Sequence, residues 1–101
     1  MKDTNHIGEA VKRVRKLKKL KQKDFAKQIK ISTSSLSAIE QGARVPSLRM
    51  LQKIADGFKI SLPILLWFSV KREDVEEDKR ETFDILMPQI NSMISSLFNT
   101  K

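Results

Sequence analysis

Between Gln22 and Gln41 two short apolar patterns of helical period lie only a few residues apart, and this spacing constrains the fold more than any other feature of the chain. Phe25, Ala26 and Ile29 share one face of the first segment, and Leu36 and Ile39 share one face of the second. Two short helices that cross steeply leave little room where their backbones meet, so a small side chain is required there. Ala26 supplies it, while Phe25, Ile29, Ile31, Leu36 and Ile39 form the apolar wedge that locks the pair. Ser32 stands as N-cap of the second segment.

Comparable patterns flank this pair. Ile7, Val11, Val14 and Leu17 recur at spacings of four and three and predict a first helix from about His6 to about Lys19. Gly42 ends the third helix as a residue that accepts positive φ. Pro46 and Ser47 then turn and cap the chain for a fourth helix carrying Leu48, Leu51, Ile54 and Ala55, stopped near Asp56 and Gly57. Ser61 caps a fifth, in whose first turn Pro63 is tolerated because N–H groups there have no intrahelical acceptor. No stretch alternates with a period of two between hairpin turns, so the expected fold class is all-α.

A chain of 101 residues builds one core, here within residues 1–70, and residues 71–101 read as an appendage. That appendage opens with an acidic run (Glu73, Asp74, Glu76, Glu77, Asp78, Glu81, Asp84) and continues as an apolar helix. Phe83, Leu86, Ile90, Met93 and Leu97 repeat at three, four, three and four, the seam of a left-handed helix pair. Pro88 inside the pattern removes a backbone donor, so a kink or a restart is expected.

Composition narrows the chemistry. Residues 1–30 hold eleven Lys and Arg against three acidic residues, an excess equal to the formal charge of the whole chain, +8. Such a concentration draws polyanions, nucleic acid foremost, with an anionic membrane surface as rival. The membrane reading requires exposed apolar anchors, whereas Val11, Val14 and Leu17 are needed by the core. Cysteine is absent, so packing must hold the fold, and a reducing cytoplasm is compatible. The charged N-terminus shows no apolar signal region, and the longest apolar stretch, Leu62 to Val70, is far short of the ~20 residues of a span. His6 has no metal-ligating neighbours in sequence, the acidic run lacks a calcium-loop pattern, and Trp67 and Phe68 read as packing or subunit contact. No nucleophile, base and orienter come together; neither an enzyme nor a cofactor is expected.

At residues 22–42 the stretch QKDFAKQIKISTSSLSAIEQG resembles the phage-repressor and Cro type (XRE) of helix-turn-helix domain, and RVPSLRMLQKIADGFKISLPILL resembles the same family's fourth and fifth helices. The match extends over roughly residues 6 to 66. It implies a five-helix, lambda-repressor-like DNA-binding fold and a transcriptional regulator, a repressor, acting on double-stranded DNA. The seam of the C-terminal helix either folds back onto its own domain or pairs with its symmetry mate, and pairing into a homodimer is the expectation, because a two-fold symmetric DNA site demands a symmetric protein. By this resemblance Gln22 bonds a backbone phosphate, Thr33, Ser34, Ser37 and Ala38 face base edges in the major groove, and Arg44 reaches phosphate or the minor groove. Arg15 and Glu40 match a pair that ties the first helix to the third. The dimer interface would be Phe83, Leu86, Ile90, Met93 and Leu97.

Two departures from the family pattern stand out. Lys30 occupies the turn position normally held by Gly, so the residue must adopt a left-handed conformation or the turn must be reshaped. The reading residues are short, with no Arg for guanine and no Asn or Gln for adenine, which shifts recognition toward phosphate contacts and DNA shape. A rival reading is an antitoxin-like or adaptor protein whose C-terminal helix binds a different protein.

Overall fold

The computed structural model describes residues 5–96. These form six α-helices: α1 (Asn5–Leu17), α2 (Gln22–Gln28), α3 (Thr33–Glu40), α4 (Leu48–Phe58), α5 (Leu62–Trp67) and α6 (Arg80–Ser96). Two short 3-10 turns, Arg72–Asp74 and Glu77–Lys79, precede α6, and no strand occurs among the described residues. The all-α expectation holds. The chain separates into two compact units that divide between Ser69 and Val70.

In the first unit the apolar stripes close on one another. Ala10, Val11 and Val14 of α1, Phe25 and Ala26 of α2, and Leu36 and Ile39 of α3 are fully buried, joined by Ile54, Ala55 and Phe58 of α4 and Leu65 of α5. The Phe25 and Phe58 rings stack with centroids 4.2 Å apart and planes within 6°, which joins α2 to α4 through their side chains. From α1, Arg13 lies over the Phe68 ring, 5.5 Å from its centroid, covering the end of the core with its cationic plane.

Two glycines permit this density. A Cβ on Gly8 would collide with the Ile39 carbonyl oxygen and lie 3.0 Å from that of Glu40, so α1 crosses the end of α3 at backbone contact. Gly8→Ala is expected to cost about 3 kcal/mol, because backbone atoms cannot rotate aside. Urea denaturation of this variant beside the exposed control Glu9→Ala checks it; equal midpoints would show that the crossing relaxes freely. A Cβ on Gly57 would strike Ile29 Cγ2 and lie 3.1 Å from Phe25 Cε1. Close packing therefore explains Gly57, and the expected stop at Asp56–Gly57 is corrected: α4 runs through to Phe58.

What ends the helices is a repeated lysine. Lys19, Lys30 and Lys59 have φ of 60°, 64° and 62° after α1, α2 and α4, and Gly42 has φ of 80° after α3. Each is followed by a residue whose N–H reaches back five positions: Leu20 to Arg15, Ile31 to Ala26, Ala43 to Ala38, and Ile60 to Ala55, at 2.9–3.1 Å. This is the Schellman closure, in which the half-buried Leu20, Ile31 and Ile60 follow the left-handed lysines, while Ala43 after Gly42 is exposed. The first helix thus ends at Leu17, with Lys19 beyond it. Lysine is strained in this conformation, although its charge suits the negative end of the helix dipole. Lys30→Gly should raise stability by about 0.5 to 1 kcal/mol, read as a higher thermal midpoint.

Caps at the helix starts are uneven. The Ser32 and Ser47 hydroxyls accept from the N–H groups of Ser35 and Met50 at 3.0 Å. Ser61 occupies the N-cap position of α5 without a side-chain cap bond.

In the second unit the turns are tied to the start of α6. The Asp74 carboxylate accepts from the Lys71 N–H at 2.8 Å, Arg72 Nε donates to both Asp84 oxygens at 2.9 and 3.1 Å, and Arg80 Nε donates to the Val75 carbonyl at 3.0 Å. Helix α6 continues past Pro88, so no restart occurs there. Of the seam residues, Phe83 and Ile90 are half-buried and Leu86 and Met93 are exposed, while Leu97 lies outside the described residues.

Candidate nucleic-acid interface

At about 100° per residue, Thr33, Ser37, Ser34 and Ala38 span one side of α3, opposite the arc of the buried Leu36 and Ile39, with the buried Glu40 at the edge of that side about two turns beyond Thr33. Thr33 and Ser34 are exposed and Ser37 and Ala38 partly so. The first turn is held by hydroxyls: Ser32 Oγ donates to Ser35 Oγ at 2.9 Å and lies 3.3 Å from Ser34 Oγ. Ser32 therefore ties the N-terminal turn of α3 together and leaves its outer face polar.

Two long side chains fold back onto α3 from beyond its C-terminal end. Gln41 Nε2 donates to Ser37 Oγ at 2.9 Å, and Arg44 Nη1 donates to Ser35 Oγ at 3.3 Å. Reasoning from the sequence singled out neither Gln41 nor Ser35. The signal for Gln41 was its place four residues after Ser37, one helical turn along the same face.

Behind α3 sits the ion pair that fixes it. Arg15 Nε and Nη2 donate to the two Glu40 oxygens at 2.7 and 3.0 Å, a bidentate geometry, and Arg15 Nη1 donates to the Leu20 carbonyl at 2.7 Å. Both residues are over nine-tenths buried, Arg15 at 8% and Glu40 at 6% exposure. Gln22, at the start of α2, donates through Nε2 to Glu40 Oε1 at 3.1 Å. One carboxylate thereby joins the end of α1, the start of α2 and the end of α3. Around this frame Lys21, Lys23, Lys27 and Lys30 are all exposed, as are Arg44, Arg49 and Lys53.

The arrangement offers hydroxyls, amides and cations on one helix and its flanks. No group of three or more His, Cys, Asp or Glu that could hold a metal ion occurs among the described residues. The model of the helix-turn-helix family (HTH_3) matches residues 11–65, more than half of the chain. The chain belongs to this family. Helix-turn-helix proteins of this XRE/Cro type are DNA-binding transcriptional regulators without enzymatic activity. The chain is 44% identical over 54 residues to an uncharacterised HTH-type transcriptional regulator, YazB, of Bacillus subtilis (strain 168), covering 54% of this chain and 78% of that protein. It is 38% identical over 65 residues to the ImmF control region 10 kDa protein of Bacillus phage phi105, covering 64% of this chain and 72% of the other. The immunity repressor protein of the same phage is 31% identical over 81 residues, 78% of this chain, which spans 56% of that protein's length. The chain is therefore a helix-turn-helix transcriptional regulator related to phage immunity repressors. Among the described residues no helix is long and apolar enough to cross a membrane.

Proposed function

We propose that this regulator is a repressor that binds a two-fold symmetric DNA site as a homodimer, with α3 in the major groove. The observation that carries the reading is the outer face of α3, where Thr33, Ser34, Ser37 and Ala38 stand clear of the core beside exposed cations. Gln22 contacts a backbone phosphate, Arg44 reaches a phosphate or the minor groove, and residues 1–70 form the DNA-binding domain. Repression is supported by the likeness to an immunity repressor protein. The regulator works in the cytoplasm, where duplex DNA is accessible to it.

Residues 71–101 form the dimerisation arm. The support is α6, whose Ile85, Leu86 and Met93 are 46% to 69% exposed, an apolar surface suited to a second copy of the same helix. Selection of binding sites from random DNA should return a motif with two-fold symmetry, and light scattering should give twice the chain mass. A single asymmetric half-site together with a monomer at tens of micromolar would reject the dimer. Leu86→Asp with Met93→Asp should yield monomers that bind one half-site weakly; a homodimer that persists would move the interface elsewhere.

A further inference from the structure

We infer that Gln41 reads a base edge, supplying the bidentate reader that the short residues of α3 lack. This rests on the reading that α3 lies in the major groove. Gln41 retains right-handed helical backbone angles, φ −87° and ψ −4°, so its side chain projects by the same rotation as those before it. At about 100° per residue it falls between Ser37 and Ala38 in direction, one turn further along the helix. It is exposed, and its amide is folded back toward the N-terminal, groove-facing part of α3 by the 2.9 Å bond to Ser37 Oγ.

That bond uses one of the two N–H donors of the amide. The other N–H and the carbonyl oxygen remain, and with the Ser37 bond on the N–H trans to the oxygen they form a donor and an acceptor side by side. This pair matches adenine in the major groove, where N7 accepts and the N6 amino group donates. The Ser37 hydroxyl thus acts as a positioning residue: it holds the amide plane before DNA arrives, so less side-chain freedom is lost on binding. Guanine offers two acceptors at this edge and is a poorer match for the same amide.

Site selection from random duplex DNA, with the full chain, tests the assignment. Gln41→Ala should erase an adenine preference of about 5- to 100-fold at one base pair per half-site and leave the other positions and the salt dependence unchanged. Ser37→Ala should weaken the preference at the same pair without erasing it. Gln41→Glu replaces the amide donor by an acceptor and should shift that pair toward cytosine. Thermal midpoints equal to that of the parent chain verify folding, as expected for an exposed side chain. Affinity that drops equally for all sequences with a shallower salt slope would make Gln41 a phosphate contact and overturn the assignment; so would a selected motif that Gln41→Ala leaves intact. Ala38→Glu separates the two levels. If it abolishes specific binding while Gln41→Ala changes nothing, only the role of Gln41 fails; if it leaves specific binding untouched, α3 is not the reading helix and both fall.

Discussion

Glu40→Ala should cost the fold about 3 to 5 kcal/mol, the usual penalty for stranding one charge of a buried pair. Its carboxylate receives two hydrogen bonds from Arg15 and one from Gln22, and removing it leaves a buried guanidinium facing no acceptor but the Leu20 carbonyl. Arg15→Ala should cost a comparable amount, since it leaves the acid buried instead. Replacing both by apolar residues of similar volume, Arg15→Met with Glu40→Leu, should recover much of the loss, because neither charge is then desolvated. Denaturant unfolding of the two single variants and the double variant forms a thermodynamic cycle. A single-variant loss below about 1 kcal/mol would place the pair among exposed, weakly coupled ones. The exposed Arg72–Asp84 pair provides the contrast, with an expected loss of less than about 1 kcal/mol on cutting it.

Affinity for duplex DNA should fall by about a thousand-fold or more between about 50 and 200 mM salt, as for proteins that neutralise six or more phosphates. The short hydroxyls of α3 offer few strong base contacts, while Lys21, Lys23, Lys27, Lys30, Arg44, Arg49 and Lys53 are all exposed. Counterion release then supplies most of the binding free energy. Titrations at several salt concentrations, plotted as the logarithm of affinity against that of salt, give the slope directly. A flat line would transfer recognition to uncharged contacts, and a slope that steepens for non-specific DNA would show how much the base contacts replace. Lys30→Gly joins this measurement to the stability one: it should raise the thermal midpoint, and it makes the salt slope shallower by about one only if that ammonium lies on a phosphate.

The helices of the first unit were legible because burial imposes a period. Val11 and Val14, Phe25 and Ala26, Leu36 and Ile39, and Ile54 and Ala55 all point into the core, as their spacing requires. The ends were less legible. Glycine either terminates a helix or admits a close neighbour, and at Gly57 the neighbour, Ile29 with Phe25, is far away in sequence. The left-handed lysines carry no compositional mark at all; at Lys30 the sequence posed the alternative of strain or a reshaped turn, and the backbone is left-handed. On the candidate interface, the direction of Thr33, Ser34, Ser37 and Ala38 followed from helical rotation. The bonds from Gln41 to Ser37 and from Arg44 to Ser35 depend on rotamers, which spacing does not encode. In α6 a regular seam identified an apolar face but not what covers each part of it, so Phe83 and Ile90 differ in exposure from Leu86 and Met93.

The left-handed lysines also bear on how such a regulator diverges. Each of Lys19, Lys30 and Lys59 is a position where one replacement by glycine exchanges a positive charge for a more robust fold, with the core and the outer face of α3 untouched. A lineage facing warmer growth or a saltier interior therefore has three independent adjustments at the helix ends, and the sequence it recognises on DNA need not change with them.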